Sequence, residues 1–370
     1  MEERSVMLAL QEIKGVGWKT VLRLVSGLTR LSVLPSMSSE EIAGLGFPAS
    51  KAEMILSSLR DIDTEKLEEE YARKRVRAIT IYDEDYPALL KQTSQPPWVL
   101  YAIGRTELLP LPCVAVVGTR TPTAYGTRVA EELGKLLDQS GGVAVSGLAR
   151  GIDGAVHRGA LSGSGGTIAV VGGGPDVIYP PEHRALYTEM ATRGLILSEF
   201  PPGTRISPGL FPLRNRIIAG LSLGTVVVEA AVRSGSLITA DQALDESRDV
   251  FAVPGPISSP KSRGTHELIR QGARIVIEPA DIIREYAASF PSAGVVLTAG
   301  PPRDKLPELS EEEARLLASF PEGPVTLDTL LAKSQTNFGH LHELLLNLVL
   351  TKRIKALPGA AYAKIEDCTQ

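Results

Sequence analysis

The stretch Val114-Ala115-Val116-Val117-Gly118-Thr119-Arg120 decides the fold: an apolar run stops at a small residue, and a helical pattern follows. The same arrangement recurs at 143–145, 168–171, 195–197, 226–228, 250–253 and 275–277. A strand covered on both faces carries apolar side chains at successive positions rather than alternate ones. These runs therefore predict a mostly parallel sheet between helical layers, a doubly wound α/β domain. Two further short runs, at 78–82 and 99–103, are separated by Tyr86-Pro87 and Pro96-Pro97 and read as an extension at one edge.

Both flanks differ from this core. Residues 1–66 read as short helices with glycine turns at Gly15-Val16-Gly17 and Gly44-Leu45-Gly46. Such turns either hold a phosphate on exposed N–H groups, as in helix-hairpin-helix modules, or simply let helices turn sharply. The core spans 67–287. The stretch 288–309, rich in Pro, Gly and Ala, reads as a linker. Beyond it, Ser310 and Glu313 form a capping box. Helical patterns follow at 325–333 and 337–351, then a strand pair at 353–357 and 361–365 turning at Pro358-Gly359. Residues 310–370 thus read as a winged-helix-like domain.

Composition narrows the function. A net charge of −4 over 370 residues excludes binding driven by bulk positive charge, so an anionic polymer would need a local basic cleft. The two cysteines, Cys113 and Cys368, fit neither a disulfide framework nor a zinc module. No apolar stretch approaches membrane length, and the acidic start is unlike a signal peptide, so a cytoplasmic protein is expected.

Ligands of open α/β sheets bind at the carboxyl ends of the strands. There the sequence collects Gly118-Thr119-Arg120, Ser146-Gly147-Leu148-Ala149-Arg150, Gly172-Gly173-Gly174, Ser198-Glu199 and Ser234-Gly235-Ser236. Glycines, hydroxyls and arginines at helix starts make a phosphate-binding crevice. The dinucleotide fingerprint, the P-loop, the nucleophile elbow and the zinc-protease motif are all missing. In a helix starting near Leu213, Arg214 shares a stripe with Ile217, Ile218 and Leu221. It is then either a fixed phosphate ligand or a buried cation paired with Glu199 or Glu229. Arg150, Asp153 and His157 fall on one helical face, where Asp153 can orient Arg150 and contact His157.

These blocks, together with Ser198-Glu199-Phe200-Pro201-Pro202-Gly203 and Phe211-Pro212-Leu213-Arg214-Asn215-Arg216, resemble the DprA/Smf family of bacterial DNA-processing proteins over essentially the whole chain. The resemblance implies an extended Rossmann-like core, a helical amino-terminal domain of the SAM-like or helix-hairpin-helix type, and a winged-helix-like carboxyl-terminal domain. It also implies a non-catalytic homodimer that binds and protects single-stranded DNA during natural transformation and loads RecA recombinase, with no cofactor or metal. Carried over residue by residue, the DNA-binding set is Gly118, Thr119, Arg120, Ser146, Gly147, Leu148, Arg150, Phe211, Arg214, Asn215, Arg216, Ser234, Gly235 and Ser236. His183 stands where the family usually has Asn. The competing reading is a nucleotide or phosphoribosyl hydrolase that uses Glu229 as its carboxylate.

Overall fold

Every apolar run folds as a strand in the computed structural model, which describes residues 2–163, 166–298, 309–321, 323–334, 337–351, 353–357 and 360–364. The strands of the large sheet are β1 (Arg77–Thr80), β2 (Val99–Gly104), β3 (Cys113–Val117), β4 (Val143–Ser146), β5 (Thr167–Val170), β6 (Leu195–Ser198), β7 (Gly224–Val227), β8 (Asp249–Ala252) and β9 (Arg274–Ile275). They lie in the order β1-β2-β6-β5-β4-β3-β7-β8-β9. Neighbours from β6 to β9 are parallel, and β2 pairs antiparallel with both β1 and β6.

Successive residues of one strand serve opposite layers. Val114 and Val116 pack with Leu133 and Leu137 of the Ala124–Gln139 helix and with Ala155 and Val156 of the Ile152–Leu161 helix. Ala115 and Val117 face the other way, onto Ile217, Ile218 and Leu221 of the Leu210–Leu221 helix. This two-sided burial is why the strands read as unbroken apolar text. β9 departs from the rule. It forms the sheet edge, is two residues long, and leaves Ile275 48% exposed.

The amino-terminal helices, Glu3–Glu12 through Thr64–Arg73, run past residue 66. They share one hydrophobic cluster with Val99 and Tyr101 of β2, and Trp18 stacks on Trp98 at 5.8 Å between ring centres. Residues 1–298 accordingly form one compact unit. The expected linker contributes to it. Phe290 and Ala293 are buried in the same cluster as Val114 and Val116, and a helix spans Ala293–Thr298. Residues 299–308 of that expectation lie outside the described residues.

The second unit, 299–370, holds helices Glu311–Ala318, Leu327–Ser334 and Phe338–Leu350. Its strands β10 (Val325–Thr326), β11 (Ile354–Leu357) and β12 (Ala361–Lys364) pair in the order β10-β12-β11. The Ser310–Glu313 capping box forms. The second helix starts at Leu327 rather than 325, because Val325 and Thr326 pair with Tyr362 and Ala361. The Pro358-Gly359 turn and Cys368 lie outside the described residues. Among the described residues no helix is long and apolar enough to cross a membrane.

Candidate functional site

The strand order locates the crevice. From β3 the chain steps outward through β4, β5 and β6, then crosses back to lay β7 on the other side of β3. Loops leaving β3 and β7 therefore diverge, and a topological switch point opens between their carboxyl ends. A cleft of about 480 Å³ occupies this point. It is lined by Gly118, Thr119 and Arg120 after β3, by Ala149 and Asp153 beyond β4, and by Arg233, Ser234, Gly235 and Ser236 after β7. Phe211, Arg214 and Asn215 of the Leu210–Leu221 helix complete it.

Arg214 forms a buried wall of the cleft, 5% exposed. Its Nη1 donates to the carbonyl oxygens of Gly147, at 2.7 Å, and Val170. Its Nε donates to Asn215 Oδ1 at 3.1 Å. A side chain at position 147 would collide with this guanidinium, since a Cβ there would lie 2.3 Å from Nη1; the loop after β4 needs glycine for that close approach. The counter-charge is Asp153, 7% exposed, whose Oδ2 accepts from the backbone N–H groups of Gly147 and Ala149 at 3.2 and 3.3 Å. Burial pushes the Asp153 carboxyl up, opposed by Arg214. Burial also brings the Arg214 guanidinium down to about 10; Asp153 acts against this fall, and the nearby positive charge of Arg120 adds to it. Arg214 is thus cationic at neutral pH and buried beside a second cation. That arrangement is relieved when an anion enters.

Arg120 is exposed, with its guanidinium 5.5 Å from the centre of the Phe211 ring. Phe211 in turn lies 5.9 Å from Tyr179, tilted by 40°. On the opposite wall, Ser234 caps the Gly235–Asp245 helix and bonds the Ser236 hydroxyl at 2.8 Å. The amino end of that helix opens toward the cleft beside Arg233. Cations, helix N–H groups and a flat aromatic face converge, which is the chemistry of a phosphodiester with a base attached.

Not every anticipated residue reaches this cleft. Ser146 is buried and donates to Val116 O at 2.7 Å. Leu148 is buried in a left-handed conformation, and its carbonyl meets His183 Nδ1 at 3.0 Å, so His183 supports the loop. Gly147 contributes its carbonyl to Arg214 rather than a surface to the cleft. Arg150 does not share a helical face with Asp153, because the helix begins only at Ile152, after Gly151 at φ +77°; Arg150 pairs with Glu182 instead. His157 contacts Thr167 Oγ1 at 3.0 Å, not Asp153. Arg216 pairs with Glu199 and donates to Gln95 O, and this half-buried pair ties down the end of β6. Gly172 and Gly173 are covered by Phe211 and Ile206, so the triglycine is a packing surface.

Glu229 is neither a partner of Arg214 nor part of the cleft lining. Its carboxylate accepts from Thr123 N at 2.9 Å and Thr123 Oγ1 at 2.5 Å, fixing the start of the Ala124–Gln139 helix. Sequence reasoning missed Arg233 and the countering role of Asp153. The signal for Arg233 was its place directly before Ser234-Gly235-Ser236, where a helix N-cap follows a strand end.

Residues 77–287 match the family model of DNA recombination-mediator protein A, and residues 300–360 match that of the DprA winged helix domain. The chain belongs to the DNA recombination-mediator protein A family. The DprA/Smf resemblance therefore holds across the chain. It is 34% identical to protein Smf of Synechocystis sp. over 98% of this chain and 99% of that protein. It is 45% identical to DNA processing protein DprA of Bacillus subtilis over 58% of this chain and 73% of that one. Among solved structures, DprA of Streptococcus pneumoniae superposes with a TM-score of 0.67 at 35% identity, covering 77% of this chain and 99% of that chain. DNA processing protein A of Helicobacter pylori, solved for its single-stranded DNA binding mode, gives 0.53 at 32% identity, covering 58% and 97%. The large mostly parallel sheet and helical amino-terminal region of this chain thus go with a fold that superposes on DprA structures, and a DprA winged helix domain lies at its carboxyl end.

Proposed function

We propose that this chain binds single-stranded DNA in the β3/β7 cleft without chemically altering it. As a homodimer it protects the strand and hands it to RecA recombinase in transformation or homologous recombination. The observation carrying this reading is the pairing of Arg120 with Phe211 at the mouth of a cleft whose wall is cationic Arg214. Phosphates meet guanidinium and helix N–H groups, and an unpaired base lies on the aromatic ring. A cleft set between the carboxyl ends of two strands admits a flexible strand more readily than a rigid duplex. The similarity to a family member solved for its single-stranded DNA binding mode supports the same reading. The absence of chemistry fits Glu229, whose two oxygens are both taken up by Thr123. Two clefts in a dimer would engage one strand together and raise affinity through effective concentration.

Photo-crosslinking tests the location. An oligonucleotide carrying a photoreactive thymine analogue should crosslink to peptides containing Phe211 or Tyr179, and unlabelled oligo-dT should compete. Crosslinks found solely within 309–364 would overturn the cleft as the binding site. Release of free base from nucleoside monophosphates that disappears in Glu229→Gln would overturn the non-catalytic reading.

A further inference from the structure

The loops leaving β7 and β8 form a rim that continues the cleft and combines two features. First, it exposes apolar side chains: Val232 is 65% and Ile257 89% exposed. Second, among the described residues the exposed guanidinium groups of Arg233 and Arg263 have neither a hydrogen bond nor an ion pair. Many other arginines of the first unit, including Arg105, Arg150, Arg216, Arg270, Arg274 and Arg284, are joined to carboxylates. The one acidic residue of the helix that Arg263 begins, Glu267, is taken up by Arg270 and Gln271.

The rim is one fastened body. Ala230 N donates to Lys261 O at 2.7 Å, and Gly264 N donates to Ala230 O at 2.8 Å. Lys261 Nζ reaches across β7 to Thr121 O, tying the loop after β8 to the loop after β3. Arg263 therefore follows directly from the cleft wall that carries Arg233.

Resting on the reading of the cleft as a single-strand site, we infer that the strand leaves it over this rim. Arg263 contacts a phosphate and Ile257 supports an outgoing base. Exposed aliphatic side chains beside unpaired cations suit an unpaired strand, which presents base faces and phosphates together. Arg263 and Ile257, which do not line the cleft, thus add length-dependent affinity beyond it.

The test is fluorescence anisotropy on the full chain with labelled oligo-dT of about 4 and about 16 nucleotides, the span of common single-strand site sizes. Wild type is compared with Arg263→Ala and Ile257→Ser, both at exposed positions. The short strand should bind all three proteins equally. The long strand should bind the two variants about five-fold more weakly, and Arg263→Ala should lose about 0.7 of the log-log salt slope, the value of one single-strand phosphate contact. Wild-type affinity of both variants for the long strand, with normal short-strand binding, overturns the rim alone. Failure of wild type to bind either strand overturns the cleft reading, and the rim with it.

Discussion

At the level of single residues, Arg120 and Arg214 carry the same charge and do different work. Arg214 holds two backbone carbonyls and faces buried Asp153. Removing it strands those acceptors and an uncompensated carboxylate, so Arg214→Ala should cost about 3–5 kcal/mol in urea unfolding. Arg120→Ala should stay within about 0.5 kcal/mol of wild type while losing strand affinity. Equal stability of the two variants would contradict this division of labour. His157 makes a second prediction. Burial, then the neighbouring charges of His183, Arg214 and Arg158, bring its imidazole down to about 3, against about 6.5 unfolded. Between those values the unfolded chain takes up a proton that the folded chain refuses, so this contribution to stability is intact above about pH 6.5 and drains away as pH falls toward 3. The raised Asp153 carboxyl acts with the opposite sign, so the informative quantity is a difference. His157→Gln should flatten the stability–pH profile in that window, and an unchanged profile would contradict the assignment. The burial of Arg214 was legible in its helical stripe. Its partners were not, because helical spacing says which face is inward but not which loop lies beneath it. Arg150 was misjudged because helical periodicity holds only once a helix has begun, and Gly151 delays that start to Ile152.

At the level of elements, the strands were legible because burial on both faces leaves no polar positions to confuse the pattern. β9 shows where this stops, since an apolar run at a sheet edge keeps its composition while losing its cover. The 288–298 stretch shows the reverse. Small residues and proline suggest a linker, yet they also permit close packing, and only the position of Phe290 against Gly142 separates the two. Phe290→Ala should therefore cost about 3–5 kcal/mol of stability, as for a core aromatic. A loss below about 0.5 kcal/mol, the size of a surface substitution, would restore the linker reading.

For the whole molecule, the position of the cleft follows from strand order, and strand order was not legible. Seven runs of similar text do not announce that β7 returns beside β3. Once it does, the turns after β3 and β7 leave toward opposite faces of the sheet, and residues more than a hundred positions apart, Arg120 and Arg233, border the one cavity between them. The chain carries a net charge of −4, so under the proposed function its attraction for a polyanion rests on these few guanidinium groups. The most direct measurement is fluorescence anisotropy of labelled oligo-dT and its duplex across a salt series, for wild type and Arg120→Ala. Single-strand binding should show a log-log salt slope of about −2, reflecting some three phosphate contacts, and duplex binding should be weaker. Arg120→Ala should bind the single strand at least about ten-fold less tightly, at the level of one charge-assisted hydrogen bond to a phosphate. Equal affinity for strand and duplex, unmoved by Arg120→Ala, would contradict the cleft reading.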